Sequence, residues 1–188
     1  MYSVEMKNID TNKNEIVLQS REGKVSSYSL ELEINNNNNK NIENFASIKC
    51  LELLAELNTD IIDRAKTIYL NDNESITIWK LRHFGKNLGI KQKYQYFKTS
   101  VSCNNNVRFF KMSFIDKIDD EKLIDSFSDC EQFKCNCNME IIMNKQKLII
   151  NYSVTPFIND NNIQYIENLI VLLLKKILYR LKIFIENF

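Results

Sequence analysis

The segment 161–188, NNIQYIENLIVLLLKKILYRLKIFIENF, contains neither Gly nor Pro and is apolar at most of its positions. Projected at about 100° per residue, Ile163, Ile166, Ile170, Leu173, Ile177, Leu181, Phe184 and Phe188 fall on one face. Gln164, Asn168, Lys175, Lys182 and Glu186 fall on the opposite face. The spacing predicts one long helix with an apolar side that something large must cover.

Upstream of this helix the hydrophobic period is two rather than three to four. Strands are expected at 61–70, 75–83, 92–102, 107–115, 138–144 and 147–155, with turns at Asn71-Asp72-Asn73, at Asn104-Asn105-Asn106 and at Lys145. Pro156, the only proline, falls where the last strand must stop before the helix, a position that tolerates a missing N–H. Residues 116–137 read as acidic and irregular, with a short helix at Asp119 to Phe127.

Nearer the start, Val4-Met6, Ile16-Leu18 and Tyr28-Leu30-Leu32-Ile34 alternate apolar with polar residues and give two or three antiparallel strands. The Asn-rich run 35–40 cannot pack, so a solvated loop is expected there. After Asn41, a plausible N-cap, come Ile42, Phe45, Ala46, Cys50, Leu53, Leu54 and Leu57 at three- and four-residue steps. They predict one amphipathic helix that ends at Asn58-Thr59-Asp60. Strands joined by short turns pair antiparallel, because parallel pairing needs crossovers of about a dozen residues or more. The fold class is therefore α+β: a curved antiparallel sheet wrapped around a long C-terminal helix, the helix-grip arrangement, with 1–188 as a single domain.

Composition narrows the function. Lys and Arg number 25 against 24 Asp and Glu, for a formal net charge of +1. No stretch concentrates basic residues, which argues against nucleic acid as a partner. Residues 1–7 show no apolar signal region, so a cytoplasmic location is expected. Five cysteines are an odd number and suit reduced thiols. The cluster Cys130, Cys135 and Cys137 departs from the paired knuckles of structural zinc sites, so free thiols are the expectation and no metal or cofactor is assigned. His83, the sole histidine, has no Ser or Cys in a nucleophile context, and no catalytic or phosphate-binding motif appears. The chain reads as a non-enzyme.

Ile61 to Leu70 followed by Glu74 to Leu81 resembles the paired strands that follow the first helices of START lipid-transfer domains. Gln95-Tyr96-Phe97-Lys98-Thr99-Ser100 lies where those domains place the strand after their gating loop. The resemblance extends to the wider helix-grip, Bet v1-like superfamily and covers almost the whole chain. It implies that His83, Gly85 and Gly89 belong to a flexible loop beside a lipid entrance, and that the C-terminal helix is a lid. The usual Arg-Asp pair of the later strand is absent around Gln92 to Gln95.

The side chains expected to face inward are Trp79, Leu81, Tyr94, Tyr96, Phe110, Met112, Phe114, Leu148, Ile150, Tyr152 and Val154, with Ile170, Leu173 and Ile177 from the helix. Such a set either fills a core or lines a pocket for an acyl chain, which gains about 0.8 kcal/mol per buried CH₂. One expectation is therefore a monomer that binds a phospholipid, a sterol or another hydrophobic small molecule and carries it between membranes, touching each membrane surface transiently. The other is a non-catalytic interaction or structural subunit with a filled core, docking through Val171, Leu172 and Tyr179. The basic run Lys175, Lys176, Arg180 and Lys182 suits contact with anionic lipid, and it interrupts the ~20 apolar residues that spanning requires.

Overall fold

The computed structural model describes residues 15–22, 25–37, 41–84, 86–116, 127, 129–157 and 163–187. The expected strand at Val4-Met6, Gly85 and all of the expected helix before Phe127 lie outside the described residues. So do the side chains of Ile170 and Val171.

Alternation becomes strand along most of the chain: β1 (Glu15–Glu22), β2 (Val25–Asn35), β3 (Ile62–Asn71), β4 (Glu74–Leu81), β5 (Lys93–Asn104), β6 (Val107–Phe114), β7 (Glu131–Gln132), β8 (Cys135–Met143) and β9 (Lys147–Pro156). They form one curved sheet in the order β1-β2-β9-β8-β6-β5-β4-β3, antiparallel throughout, with the short β7 added parallel to β5. Tight turns set this pattern. Asn73 N–H donates to Asn71 Oδ1 at 2.8 Å between β3 and β4, and Asn144 Oδ1 accepts from the N–H groups of Gln146 and Lys147 between β8 and β9. Asn105, between β5 and β6, takes a φ of 50°, a conformation that Asn tolerates better than most residues.

Register aligns the apolar positions into rows. Leu32 pairs with Ile150 and Ile150 with Ile141, while Ile34 pairs with Leu148 and Leu148 with Met143. These side chains all face the inner side and are buried. A one-residue slip would turn the whole row to solvent, so burial itself fixes the pairing.

Between β2 and β3 the chain crosses from one side of the sheet to the other. The single helix expected after Asn41 is instead a 3₁₀ turn (Ile42–Ala46) followed by α1 (Cys50–Leu57). Asn41 does cap, its Oδ1 accepting from Glu43 N–H at 3.0 Å. The break comes at Ser47, whose backbone is extended, and it lets both Ala46 and Ile48 reach the core. The Asn-rich run also differs from a wholly solvated loop. Asn35 closes β2, and Asn36 is buried, with its N–H bonded to the Gln146 carbonyl at 2.7 Å.

The long helix, α2 (Ile163–Asn187), packs across β2 and against α1. Its buried residues are Leu178, Leu181 and Ile185, with Leu173, Leu174, Ile177 and Phe184 packed around them. The helix is rotated by about one residue from the expected face. Lys182 and Glu186, expected on the outer side, are largely covered, and Glu186 Oε1 accepts from Asn35 N–H at 3.0 Å. No helix among the described residues is long and apolar enough to cross a membrane.

Candidate functional site

The inner face of the sheet, α1 and α2 enclose a cavity of about 80 Å³. Its floor comes from Trp79 and Leu81 of β4, Gln95 of β5, Met112 of β6, Cys137 and Met139 of β8, and Tyr152 and Val154 of β9. Ile61, Ile62 and Phe133 close one end. The roof is Leu51 and Leu54 of α1 with Leu173, Leu174, Ile177 and Leu178 of α2. No charged side chain is among these residues. Past Trp79 and Gln95 a second gap of about 20 Å³ opens between Phe97, Phe114, Phe133 and Cys135. A space of that size holds one water.

Strand parity decides which of the expected residues reach this interior. Trp79, Leu81, Met112, Tyr152, Leu173 and Ile177 line it. Phe110 is fully buried but packs as core outside the lining, and Phe114 borders only the smaller gap, with its ring 4.9 Å from that of Phe157. Tyr94 and Tyr96 are corrected. Trp79 pairs with Gln95 and Phe97 with Phe114, so these β5 residues face inward, and Tyr94 and Tyr96, which alternate with them, have the other parity. Tyr94 instead packs on Phe127 at 5.2 Å, whose ring also lies under Lys80 Nζ, and burial raises the Tyr94 hydroxyl pKa. Tyr96 borders the smaller gap.

Four linked groups supply polarity to the cavity wall and to the smaller gap beside it. Cys135 and Cys137, two apart on β8, point the same way with Sγ atoms 3.7 Å apart. Gln95 Nε2 donates to Cys135 Sγ at 3.2 Å. The Cys135 thiol is pushed up by its hydrogen bond to Cys137 and by burial, while hydrogen bonds from Cys135 and Tyr152 oppose burial at Cys137. Burial raises the Tyr152 hydroxyl as well. Trp79 differs from these four groups: it is 8% exposed, its ring is held edge-on to Phe97 at 5.2 Å, and its Nε1–H has no hydrogen-bond partner among the described residues.

The loop after β4 begins beside the cavity, because Leu81 lines it and Gln92 Nε2 donates to the Leu81 carbonyl at 2.7 Å. His83 Nε2 lies 2.6 Å from the Ile90 carbonyl and spans the loop, and Phe84 packs on the core. Gly89 has a φ of 71° with open space where a Cβ would stand, so its conformation rather than crowding calls for glycine.

The cysteines at 130, 135 and 137 do not assemble with a third ligand. Among the described residues no group of three His, Cys, Asp or Glu side chains is placed to hold a metal ion. A wider concavity, about 730 Å³, lies on the outer face of the sheet between residues such as Ser29, Glu31, Lys111 and Asn151. Asn151 Nδ2 donates there to Glu140 Oε2 at 2.9 Å. That groove is open, and apolar atoms supply most of its surface.

The alternatives visible in the sequence missed the α1 side chains and Phe133. Leu54 lies on the apolar stripe expected of that helix, whereas Leu51 falls outside it. Phe133 stands in irregular chain with no periodic signal.

No protein-family model and no curated protein sequence matches the chain. Solved structures match its shape. The human StarD13 (DLC2) lipid transfer and protein localization domain has a TM-score of 0.69 at 8% identity, covering 95% of this chain and 86% of that one. Human StAR-related lipid transfer protein 5 has a TM-score of 0.69 at 9% identity, covering 96% and 86%. Norcoclaurine synthase of Thalictrum flavum has a TM-score of 0.51 at 11% identity, covering 88% and 97%. The chain has the START and Bet v1-like helix-grip fold. Its neighbours include lipid-transfer domains and an enzyme, so activity must be argued from the site itself.

Proposed function

We propose that this protein binds a hydrophobic ligand, of phospholipid or sterol type, between its sheet and α2 and moves it between membranes without chemistry. The observation that carries this reading is the enclosed, uncharged cavity under α2. A lining with no charged side chain among the described residues is suited to apolar contact. The helix-grip neighbours that transfer lipids support it at the level of fold.

Size sets a condition. Clefts that hold drug-sized ligands run to roughly 300–1,000 Å³, and the cavity has about 80 Å³. Uptake of a lipid therefore requires the roof to move, and α2 together with the loop after Leu81 forms the movable side. Closure would then remove the ligand's apolar surface from water. In this reading the protein works as a cytoplasmic monomer, and Leu172, Tyr179 and Ile183, exposed on the outer side of α2, touch the membrane during exchange.

Transfer is tested with donor vesicles of phosphatidylcholine, phosphatidylethanolamine and cholesterol and acceptor vesicles separable by density. The expected result is protein-dependent movement of at least one of these lipids. No movement of any of them above the spontaneous rate would contradict transfer. A second reading rests on the same exposed α2 residues: a docking subunit with a filled core. It predicts that Leu172→Glu abolishes partner binding while leaving the interior empty of lipid.

A further inference from the structure

The thiols of the chain occupy different environments. Cys103 is exposed and Cys130 half-buried, while Cys50, Cys135 and Cys137 are buried. Burial alone pushes the Cys50 thiol up. Cys137 is as deeply buried, yet its sulfur accepts hydrogen bonds from the Cys135 thiol and the Tyr152 hydroxyl, which hold it below its ordinary value. Cys135 is fixed in turn by Gln95, whose Nε2 donates to its Sγ at 3.2 Å. The polar groups of this interior therefore converge on one sulfur. Strand parity turns that sulfur inward, since Cys137 pairs with Met112 on β6 and Val154 on β9, and all three line the cavity under α2. A cysteine side chain is one methylene and one sulfur, so no part of it can border the cavity more than a bond away from Sγ.

We propose that Cys137 is a covalent attachment site for uncharged, apolar electrophiles of the α,β-unsaturated carbonyl class. The inference rests on the hydrophobic-ligand reading for entry and goes beyond it: an unreactive guest leaves again, whereas an electrophilic one is retained. The Cys137 sulfur bonds to the β-carbon, and the electron pair of the carbon–carbon double bond moves toward the carbonyl as an enolate. The proton lost by the Cys137 thiol ends on the α-carbon, passed on through Cys135 or Tyr152. The net step adds S–H across the double bond and consumes no other reactant. Thiolates rather than thiols make such attacks, and donors aimed at a sulfur favour its ionised form. Cys135 stays a thiol, because its hydrogen bond to Cys137 and burial push it up. The pair thus divides into a nucleophile and a proton donor. The lining, which holds no charged side chain, selects an uncharged reagent.

Cys103→Ser/Cys130→Ser protein lacks the two thiols nearest solvent, neither of which lines the cavity, and it serves as the parent. Two probes of matched size separate the alternatives: cyclohexenone, an electrophile, and cyclohexanone, its saturated counterpart. Entry is read from the methyl resonances of Met112 and Met139, which line the cavity, and addition from intact mass and peptide mapping. Both ketones should shift the methyl resonances, and cyclohexenone alone should add once, at Cys137, with Cys50 unmodified. The adduct should be absent from Cys137→Ala. At saturating cyclohexenone its formation should slow about 2- to 5-fold in Tyr152→Phe, because one hydrogen bond is lost while the remaining thiolate is a stronger nucleophile. If both ketones enter but Cys137 is not modified, if Cys50 or Cys135 reacts as fast, or if Tyr152→Phe leaves the rate unchanged, this inference is overturned and the hydrophobic-ligand reading stands. If neither ketone enters, both are overturned.

Discussion

Asn58 is fully buried, and its groups join three parts of the molecule. Its Nδ2 donates to the Leu54 carbonyl at 2.8 Å, its Oδ1 accepts from Arg180 at 3.3 Å, and its backbone carbonyl accepts from Ile61 and Ile62 N–H. Asn58→Ala would leave the Leu54 carbonyl and part of the Arg180 guanidinium without these partners, and a loss of about 1–3 kcal/mol in urea-denaturation stability is expected. The sequence shows Asn58 only as the end of a helical pattern. Asn marks turns correctly at Asn71 and Asn105, but the same residue type is buried at Asn36 and Asn58. What separates the two uses is a hydrogen bond to a distant segment, and local pattern does not carry that. Cysteine gives a parallel case, since Cys50 lies within a legible apolar stripe and burial pushes its thiol up to about 12, leaving it inert.

At the scale of elements, α2 was legible as a helix and as a covering layer, while its rotation was not. So many of its positions are apolar that several faces have nearly equal hydrophobicity, and contact with β2 and α1 selects among them. Polar contacts then fix the choice. Asp60, in the loop between α1 and β3, binds the guanidinium of Arg180 and also accepts from Lys176 Nζ at 2.6 Å. Hydrogen bonds from Arg180 and then Lys176 hold the Asp60 carboxyl well below the usual carboxylate range. A carboxylate more acidic in the folded chain than in the unfolded one favours folding above its unfolded pKa of ~3.9, and the advantage fades as pH falls toward the lower folded value. Asp60→Asn should therefore lower Tm at pH 7, and the gap from wild type should narrow below about pH 4. Thermal melts across that range check it, and a gap independent of pH would argue that the carboxylate does not latch α2. The single helix expected after Asn41 shows the other limit: its apolar period was real, but it spanned a 3₁₀ turn and an α-helix whose break at Ser47 serves tertiary packing.

Across the whole molecule, strand alternation, short turns and one terminal apolar helix were enough to anticipate the helix-grip fold. The interior was only partly legible. Trp79, Met112 and Tyr152 line the cavity as their parity suggested, whereas the β5 assignment fell one residue out of phase, because Tyr94 and Tyr96 are as bulky as Phe97 and only pairing with β4 and β6 distinguishes the faces. Volume was beyond reach, since the same side chains fill a core or line a pocket depending on curvature. The closed interior has about 80 Å³, so the account depends on α2 yielding to a larger guest. Native mass spectrometry of the protein after incubation with vesicles of phosphatidylcholine, phosphatidylethanolamine and cholesterol tests this most directly. The account predicts a one-to-one adduct with one lipid mass that survives removal of the vesicles. A bare protein mass under every condition would contradict it and leave the sheet and α2 as the two sides of a filled core.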